Sequence, residues 1–181
     1  MALDVSDDAS VVAAAETIAA AGGLDVLVNN AGISGGRVDV DDLDAAHLAR
    51  VLDTNVLGIV RVTQAFLPLL RRSDAPVIVN VSSGMGSITL TSDPERVESS
   101  LISLAYSPSK SAVNMLTMQY AKALPGIRVN AVDPGYTGTD FNANRGTQSV
   151  REGTDAIVAM AQIGVDGPTR TYTDRFGEVP W

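Results

Sequence analysis

Pro76-Val77-Ile78-Val79-Asn80-Val81-Ser82-Ser83 is an apolar run that closes on two hydroxyl side chains. Its apolar residues are nearly contiguous rather than alternating. That predicts a strand buried on both faces. Two other stretches have the same form. Residues 24–28 are mostly apolar and lead into Asn29-Asn30-Ala31-Gly32, and residues 127–132 lead into Asp133-Pro134-Gly135. Helical stretches separate the three. Residues 6–18 read as an Ala-rich helix, with Ser6 as its cap, Asp7 and Asp8 in its first turn and Gly22-Gly23 as its stop. Residues 41–57 carry apolar positions at helical spacing and continue past Gly58 towards Leu70. A third helix is expected up to Leu124, with Ser107 as cap and Pro108 in the first turn. A helix over 150–163 and a short strand over 170–173 follow. Leu3-Asp4-Val5 reads as the end of one more strand, and residues 82–103 as irregular. Buried strands alternating with helices predict an α/β fold with a doubly wound parallel sheet. At 181 residues the chain is expected to form one domain over 1–181.

Composition narrows the function classes. Hydrophobic residues make up 45%, enough for a core, and the 21 acidic against 13 basic residues give a formal charge of −8. An acidic surface repels phosphate backbones and anionic lipid, so nucleic acid and membranes are not expected partners. The chain has no cysteine, which excludes disulfides and thiolate metal sites. A cytoplasmic location fits. Met1 is followed by Ala-Leu-Asp-Val rather than a basic segment and long apolar run, unlike a signal peptide. No stretch approaches the ~20 apolar residues needed to cross a bilayer. Asp39, Asp41, Asp42 and Asp44 are read as helix-start acids, and no His/Asp/Glu spacing predicts a metal. His47, the single histidine, is expected on solvent.

Chemistry gathers at the strand ends. Tyr106 and Lys110 lie four apart and so share a helical face. A nearby ammonium favours a phenolate, which makes the pair a candidate acid/base. Taken alone, the spacing also fits a half-buried tyrosine beside a solvated lysine. Ser83 ends the strand before them, Thr54-Asn55-Val56 sits in the intervening helix, and Asn29 and Pro134-Gly135 end the flanking strands. Open α/β sheets bind ligands along that edge.

These elements, with Pro134-Gly135-Tyr136-Thr137-Gly138-Thr139, come in the order of the short-chain dehydrogenase/reductases. The whole chain resembles that family's single-domain type. The long segment between Ser83 and Tyr106 and the closing Glu178-Val179-Pro180-Trp181 resemble its carbonyl-reductase branch. The resemblance implies an NAD(P)-dependent oxidoreductase acting on a small carbonyl compound or secondary alcohol. Tyr106 would exchange the proton, Lys110 would lower its pKa and bond the nicotinamide ribose, and Ser83 would hold the substrate oxygen. Asn55 would anchor a water leading to solvent. Asp4 and Val5 would lie beside the adenine, while Asn29, Ala31 and Gly32 would line the adenosine side of the groove. Pro134, Gly135, Thr137 and Thr139 would frame the nicotinamide and the neighbouring phosphate. The branch favours NADP(H) over NAD(H). Met85, Ile88, Tyr136 and Phe141 suggest apolar walls for the substrate. The segment ahead of Tyr106 is placed to obstruct the helix face that relatives use for tetramers, which leaves a homo-oligomer an open expectation.

The resemblance also implies that the chain starts after the family's first two strand–helix units, glycine-rich phosphate turn included. The strand at 24–30 is then expected at the sheet edge. Either the chain is poorly stable alone or the Leu3 strand slides across to pair with that edge. An alternative reading is an impaired fragment or pseudoenzyme that binds a partner without turnover. Nucleotide-sugar epimerases share Tyr-x-x-x-Lys, but too little chain follows Lys110 for their second lobe.

Overall fold

The computed structural model describes residues 2–181. Five strands form one sheet in the order β1 (Val26–Asn29), β2 (Val77–Val81), β3 (Arg128–Val132), β4 (Tyr172–Asp174) and β5 (Gly177–Glu178). The first four are parallel and β5 returns antiparallel to β4. The register aligns Val26, Val77 and Arg128 at one level and Asn29, Asn80 and Ala131 three residues on. Helices cover both faces, as the contiguous apolar runs require.

Successive strand side chains point to opposite faces. Ile78 and Val129 therefore enter one core with Val11, Ala14, Val62, Phe66 and Leu70. These come from α1 (Asp8–Ala20) and α3 (Gly58–Leu70). Val77, Val79 and Val132 enter another, closed by Ala156 and Met160 of α7 (Val150–Ala161). Between them in sequence lie α2 (Ala45–Leu52), two short helices α4 (Ile88–Ser92) and α5 (Val97–Ser100), and α6 (Tyr106–Ala123). Asp44 caps α2 by accepting from the His47 N–H at 2.7 Å. A π-helical turn over Asp53–Leu57 joins α2 to α3.

Four local expectations are corrected. Leu3-Asp4-Val5 is not a strand and pairs with nothing in the sheet. Asp4 Oδ1 instead accepts from Ser6 N and Ser6 Oγ at 2.9 and 2.6 Å, which turns the chain. Val5 rests on Gly58, where a β-carbon would lie 2.9 Å from Val5 Cγ2. Arg61 completes this anchor through Asp8 at 3.0 Å, Asp53 at 2.6 Å and the Val5 carbonyl at 3.3 Å. The cap of α1 is Asp7 rather than Ser6, whose hydroxyl is committed to Asp4. Residues 82–103 are not irregular throughout: a 3-10 turn (Gly84–Gly86), α4 and α5 lie there. His47 is half-buried, its ring over Gly35.

The expected edge is present, since β1 pairs only with β2. Val28 is 37% exposed there, whereas every residue of β2 and β3 is buried. Unpaired strand edges invite association, and a lysine blunts them. Val28→Lys is expected to change unfolding stability by no more than about 0.5 kcal/mol and to reduce light scattering on storage. Ile78→Ala should cost about 2–5 kcal/mol. Urea titration of the two variants checks the contrast, and equal losses would mean that β1 is not a true edge.

Candidate active site

The site is built where β2 and β3 end and α6 begins. Ser82 and Ser83 leave β2 in opposite directions. Ser82 is buried and donates to Asn114 Oδ1 at 2.5 Å. Ser83 is half-buried, caps the 3-10 turn by accepting from Met85 N at 3.3 Å, and presents its hydroxyl to the Tyr106 phenol. That turn is pressed hard on α6. A β-carbon at Gly86 would lie 2.6 Å from the Lys110 carbonyl carbon, so only glycine fits. The Gly86 carbonyl accepts from Ser111 Oγ at 2.9 Å and Asn114 Nδ2 at 3.2 Å. Strand end and helix start are thus locked together.

Lys110 points inwards and is only 4% exposed. Its ammonium donates to the Val81 carbonyl at 2.7 Å and stands 5.6 Å from the Tyr106 ring centre. Burial pulls its pKa from 10.5 down to about 8, with Asp133 pulling the other way. The Tyr106 phenol is pushed up to about 12 by burial, opposed by the Ser83 hydroxyl and reinforced by Asp133. Burial is the dominant cause, and Lys110 is not among the groups that shift the phenol. At neutral pH the phenol carries its proton.

Asn55 is buried in the π-helical turn. Its Oδ1 accepts from Ile33 N at 2.8 Å, and its Nδ2 donates to Ile33 O and Ser109 Oγ, each at 2.9 Å. Both amide donors are spent on protein, so the side chain ties the loop after β1 to α6. Gly32 lies beside this knot. A β-carbon there would sit 3.3 Å from Asn55 Oδ1 and 3.7 Å from Lys110 Nζ. Gly32 thus lies beside the Lys110 ammonium, and Ala31 stands exposed next to it.

Other expected residues are placed differently. The Asn29 side chain turns in, donating to Asn80 Oδ1 at 2.8 Å, and does not face a groove. Asp4 and Val5 lie on the start of α3 in the turn already described. Gly135 adopts φ +69°, with Asp133 accepting from its N–H at 2.9 Å. Thr137 donates to the Pro134 carbonyl at 3.1 Å and packs against Gly153 of α7. Thr139 caps the 3-10 turn at Asp140–Asn142. That turn carries Phe141, whose ring meets Tyr106 at 5.4 Å between centres. With Tyr136 half exposed, an apolar wall flanks the phenol.

Three residues were missed. Asn114 holds Ser82, Glu98 comes to the same side of Gly84 as Asp133, and Asp133 acts on both Tyr106 and Lys110. Asp133 had a signal, being a carboxylate at the end of a buried strand. Burial raises its own pKa above the usual carboxylate value, against hydrogen bonds from the Gly135 and Gly84 N–H groups, and Asp174 and Glu98 raise it further.

A profile of the short chain dehydrogenases matches residues 1–149. The chain belongs to the short-chain dehydrogenase/reductase family. It is 34% identical to (+)-neomenthol dehydrogenase of Arabidopsis thaliana, over 89% of this chain and 72% of that protein. It is also 34% identical to the C-signal of Myxococcus xanthus, over 88% of this chain and 94% of that one. The crystal structure of NADPH-bound carbonyl reductase from chicken fatty liver superposes with a TM-score of 0.82 at 27% identity, covering 99% of this chain and 75% of that one. These likenesses place the chain in the carbonyl-reductase branch of the family.

Burying the Lys110 cation has a measurable cost. Below about pH 8 both folded and unfolded chains are protonated and the full penalty applies. Between about 8 and 10.5 the folded form has discharged while the unfolded form has not, so stability rises with pH. The shift corresponds to roughly 3 kcal/mol. Lys110→Met is expected to raise the urea midpoint at about pH 6.5 and to lose that advantage by about pH 10.5. A variant less stable than the parent at both pH values would show that the bond to Val81 outweighs desolvation.

Proposed function

We propose that the chain is a nicotinamide-dependent oxidoreductase that interconverts a carbonyl compound and a secondary alcohol. The observation that carries this is the meeting of Ser83, Tyr106 and Lys110 at one end of β2, behind the wall of Phe141. The donor set fits a nicotinamide ribose: the Lys110 ammonium spends one N–H on Val81 and keeps two for hydroxyls. Gly32 leaves the approach to that ammonium free of a side chain of its own. Ala31 fits the adenosine side. Asp4 and Val5 are retained there as part of the proposal, while Asn29 is read as a strand tie. NADP(H) is favoured over NAD(H) by the likeness to the NADPH-bound carbonyl reductase. Residues 1–181 are taken to act as one domain, in the cytoplasm; among the described residues no helix is long and apolar enough to cross a membrane.

When bound, the nicotinamide supplies or takes the hydride. The protein handles the proton. Ser83 donates to the substrate oxygen and holds it beside the phenol. Tyr106, protonated at neutral pH, gives its proton to that oxygen in reduction. The Lys110 cation supports the phenolate that remains, and does so best below about pH 8, where it keeps its charge. Asn55 contributes by fixing the Ile33 loop and α6 in one arrangement.

One observation favours a second reading. The chain matches 94% of the Myxococcus C-signal, a relative of similar extent. The alternative is an impaired fragment or pseudoenzyme that binds a partner without turnover. Calorimetric titration with NADPH decides between them: micromolar affinity with turnover of a simple ketone or aldehyde supports the enzyme, and affinity no better than millimolar supports the alternative. Given turnover, Tyr106→Phe should lower kcat by about 10²–10⁴ and leave the NADPH Kd within about twofold. Retained turnover would remove Tyr106 from the proton step.

A further inference from the structure

Asp133 is a carboxylate at the site that the proton step described above does not use. Strand alternation aims it. Val132 enters the core closed by α7, so the next residue falls on the face that α6 covers. Register sets its depth. Val81 and Val132 lie at one level, and the Lys110 ammonium is bonded to the Val81 carbonyl. Asp133 therefore stands one residue beyond the level at which that ammonium is held.

The carboxylate is clamped there. It accepts from Gly135 N at 2.9 Å and from Gly84 N, and so joins the turns that follow β3 and β2. Ser83 precedes Gly84 in the second of these turns. A β-carbon on Gly84 would lie 3.1 Å from Asp133 Oδ2 and 3.0 Å from Glu98 Oε1, so the glycine makes room for two carboxyl groups. An ionised carboxylate can accept at both oxygens, which an asparagine amide cannot. The titratable groups around Asp133 are Glu98 of α5, Asp174 and Tyr172 of β4, and Tyr106 and Lys110 of α6. Lys110 is the one cation in this set. Among the described residues neither Asp133 nor Lys110 forms a direct ion pair, so their attraction acts across a gap, where low polarity strengthens it.

We propose that Asp133 is a positioning residue for the proton step, the fixed counter-charge of the Lys110 ammonium, held in place by the turns after β2 and β3. The proposal rests on the nicotinamide reading above and adds to it. Without the carboxylate the ammonium discharges nearer to neutral pH. A neutral amine is a weaker donor to ribose hydroxyls and gives no charge support to a phenolate. The same carboxylate raises the phenol, so its contribution runs through the lysine.

The test reads Lys110 directly. The chain has two lysines, Lys110 and the exposed Lys122, so labelling lysine Cε with carbon-13 gives two NMR signals, assigned with Lys122→Arg. Asp133→Asn and Asp133→Ser are each expected to lower the Lys110 midpoint from about 8 by about one unit. Glu98→Gln should leave it in place. Relative to the parent, NADPH affinity of both Asp133 variants, measured by calorimetry, should fall about fivefold at about pH 8 and stay within about twofold at about pH 6.5, following the charged fraction of Lys110. A midpoint unmoved in both Asp133 variants, or moved as far by Glu98→Gln, would overturn the proposal. Affinity lost equally at the two pH values, or failure of both Asp133 variants to fold, would make Asp133 a structural residue and overturn it as well. A parent chain that binds no NADPH would overturn the nicotinamide reading, while the Lys110 midpoint would still decide whether Asp133 is the counter-charge.

Discussion

The contact between Gly86 and Lys110 is the constraint on which the site depends. The turn after β2 meets the first turns of α6 at a distance that excludes even a methyl group. Three bonds hold it: Ser111 and Asn114 to the Gly86 carbonyl, and Lys110 to the Val81 carbonyl. The first two are side-chain bonds from α6, and the third is the buried ammonium itself. Ser83 lies three residues before Gly86, and Tyr106 one helical turn before Lys110. Their relative position is set by this backbone packing, and it brings the Ser83 hydroxyl to the Tyr106 phenol. Such sites are stiff, because a shift of either side chain requires the strand end or the helix to move.

Burial sets the electrostatics of this arrangement. A phenol at about 12 and an ammonium at about 8 are both displaced towards their neutral forms. Asp133 favours the protonated form of each, raising the phenol and the ammonium alike. It keeps the lysine charged nearer to neutral pH and keeps the tyrosine loaded with its proton. A raised pKa makes the phenol a weaker acid, so in the proposed reaction the ammonium must stabilise the phenolate that proton donation leaves. Oxidation of an alcohol starts from that same phenolate, and the carboxylate opposes it in both directions.

Much of the fold was legible in the sequence. The three contiguous apolar runs became β1, β2 and β3, and their polar ends do lie along one rim. Ser83, Tyr106 and Lys110 came together as their spacing implied. What was illegible concerned competition and depth. Ser6 was read as the cap with Asp7 in the first turn, but the Ser6 hydroxyl is taken by Asp4 and Asp7 caps instead. Leu3-Asp4-Val5 looked like a strand until Asp4 turned it and Gly58 received Val5. Asn29 has the polarity of a groove residue, but a side chain that finds Asn80 at the same sheet level turns in. The sign of the Tyr106 shift depends on how far the ring is desolvated, and spacing along a helix carries no information on that.

The site occupies the better packed part of the sheet. β1 is an edge with a half-exposed face, and the stretch before it is held by one arginine and one glycine contact. β2 and β3 are buried along their whole length, and α6 crosses their ends. Asn55 bridges the two regions by tying the loop after β1 to Ser109 of α6. That buried amide is one link between the edge and Lys110, beside the β1–β2 pairing and the close approach of Gly32. Local opening begins where buried contacts are few, so Ser83, Tyr106 and Lys110 are held away from the edge by the packing that desolvates them. The groups proposed for the proton step and for the cofactor separate along the same line. Ser83 follows the buried strand β2, and Tyr106 and Lys110 lie on α6, while the proposed adenosine side falls on the exposed edge.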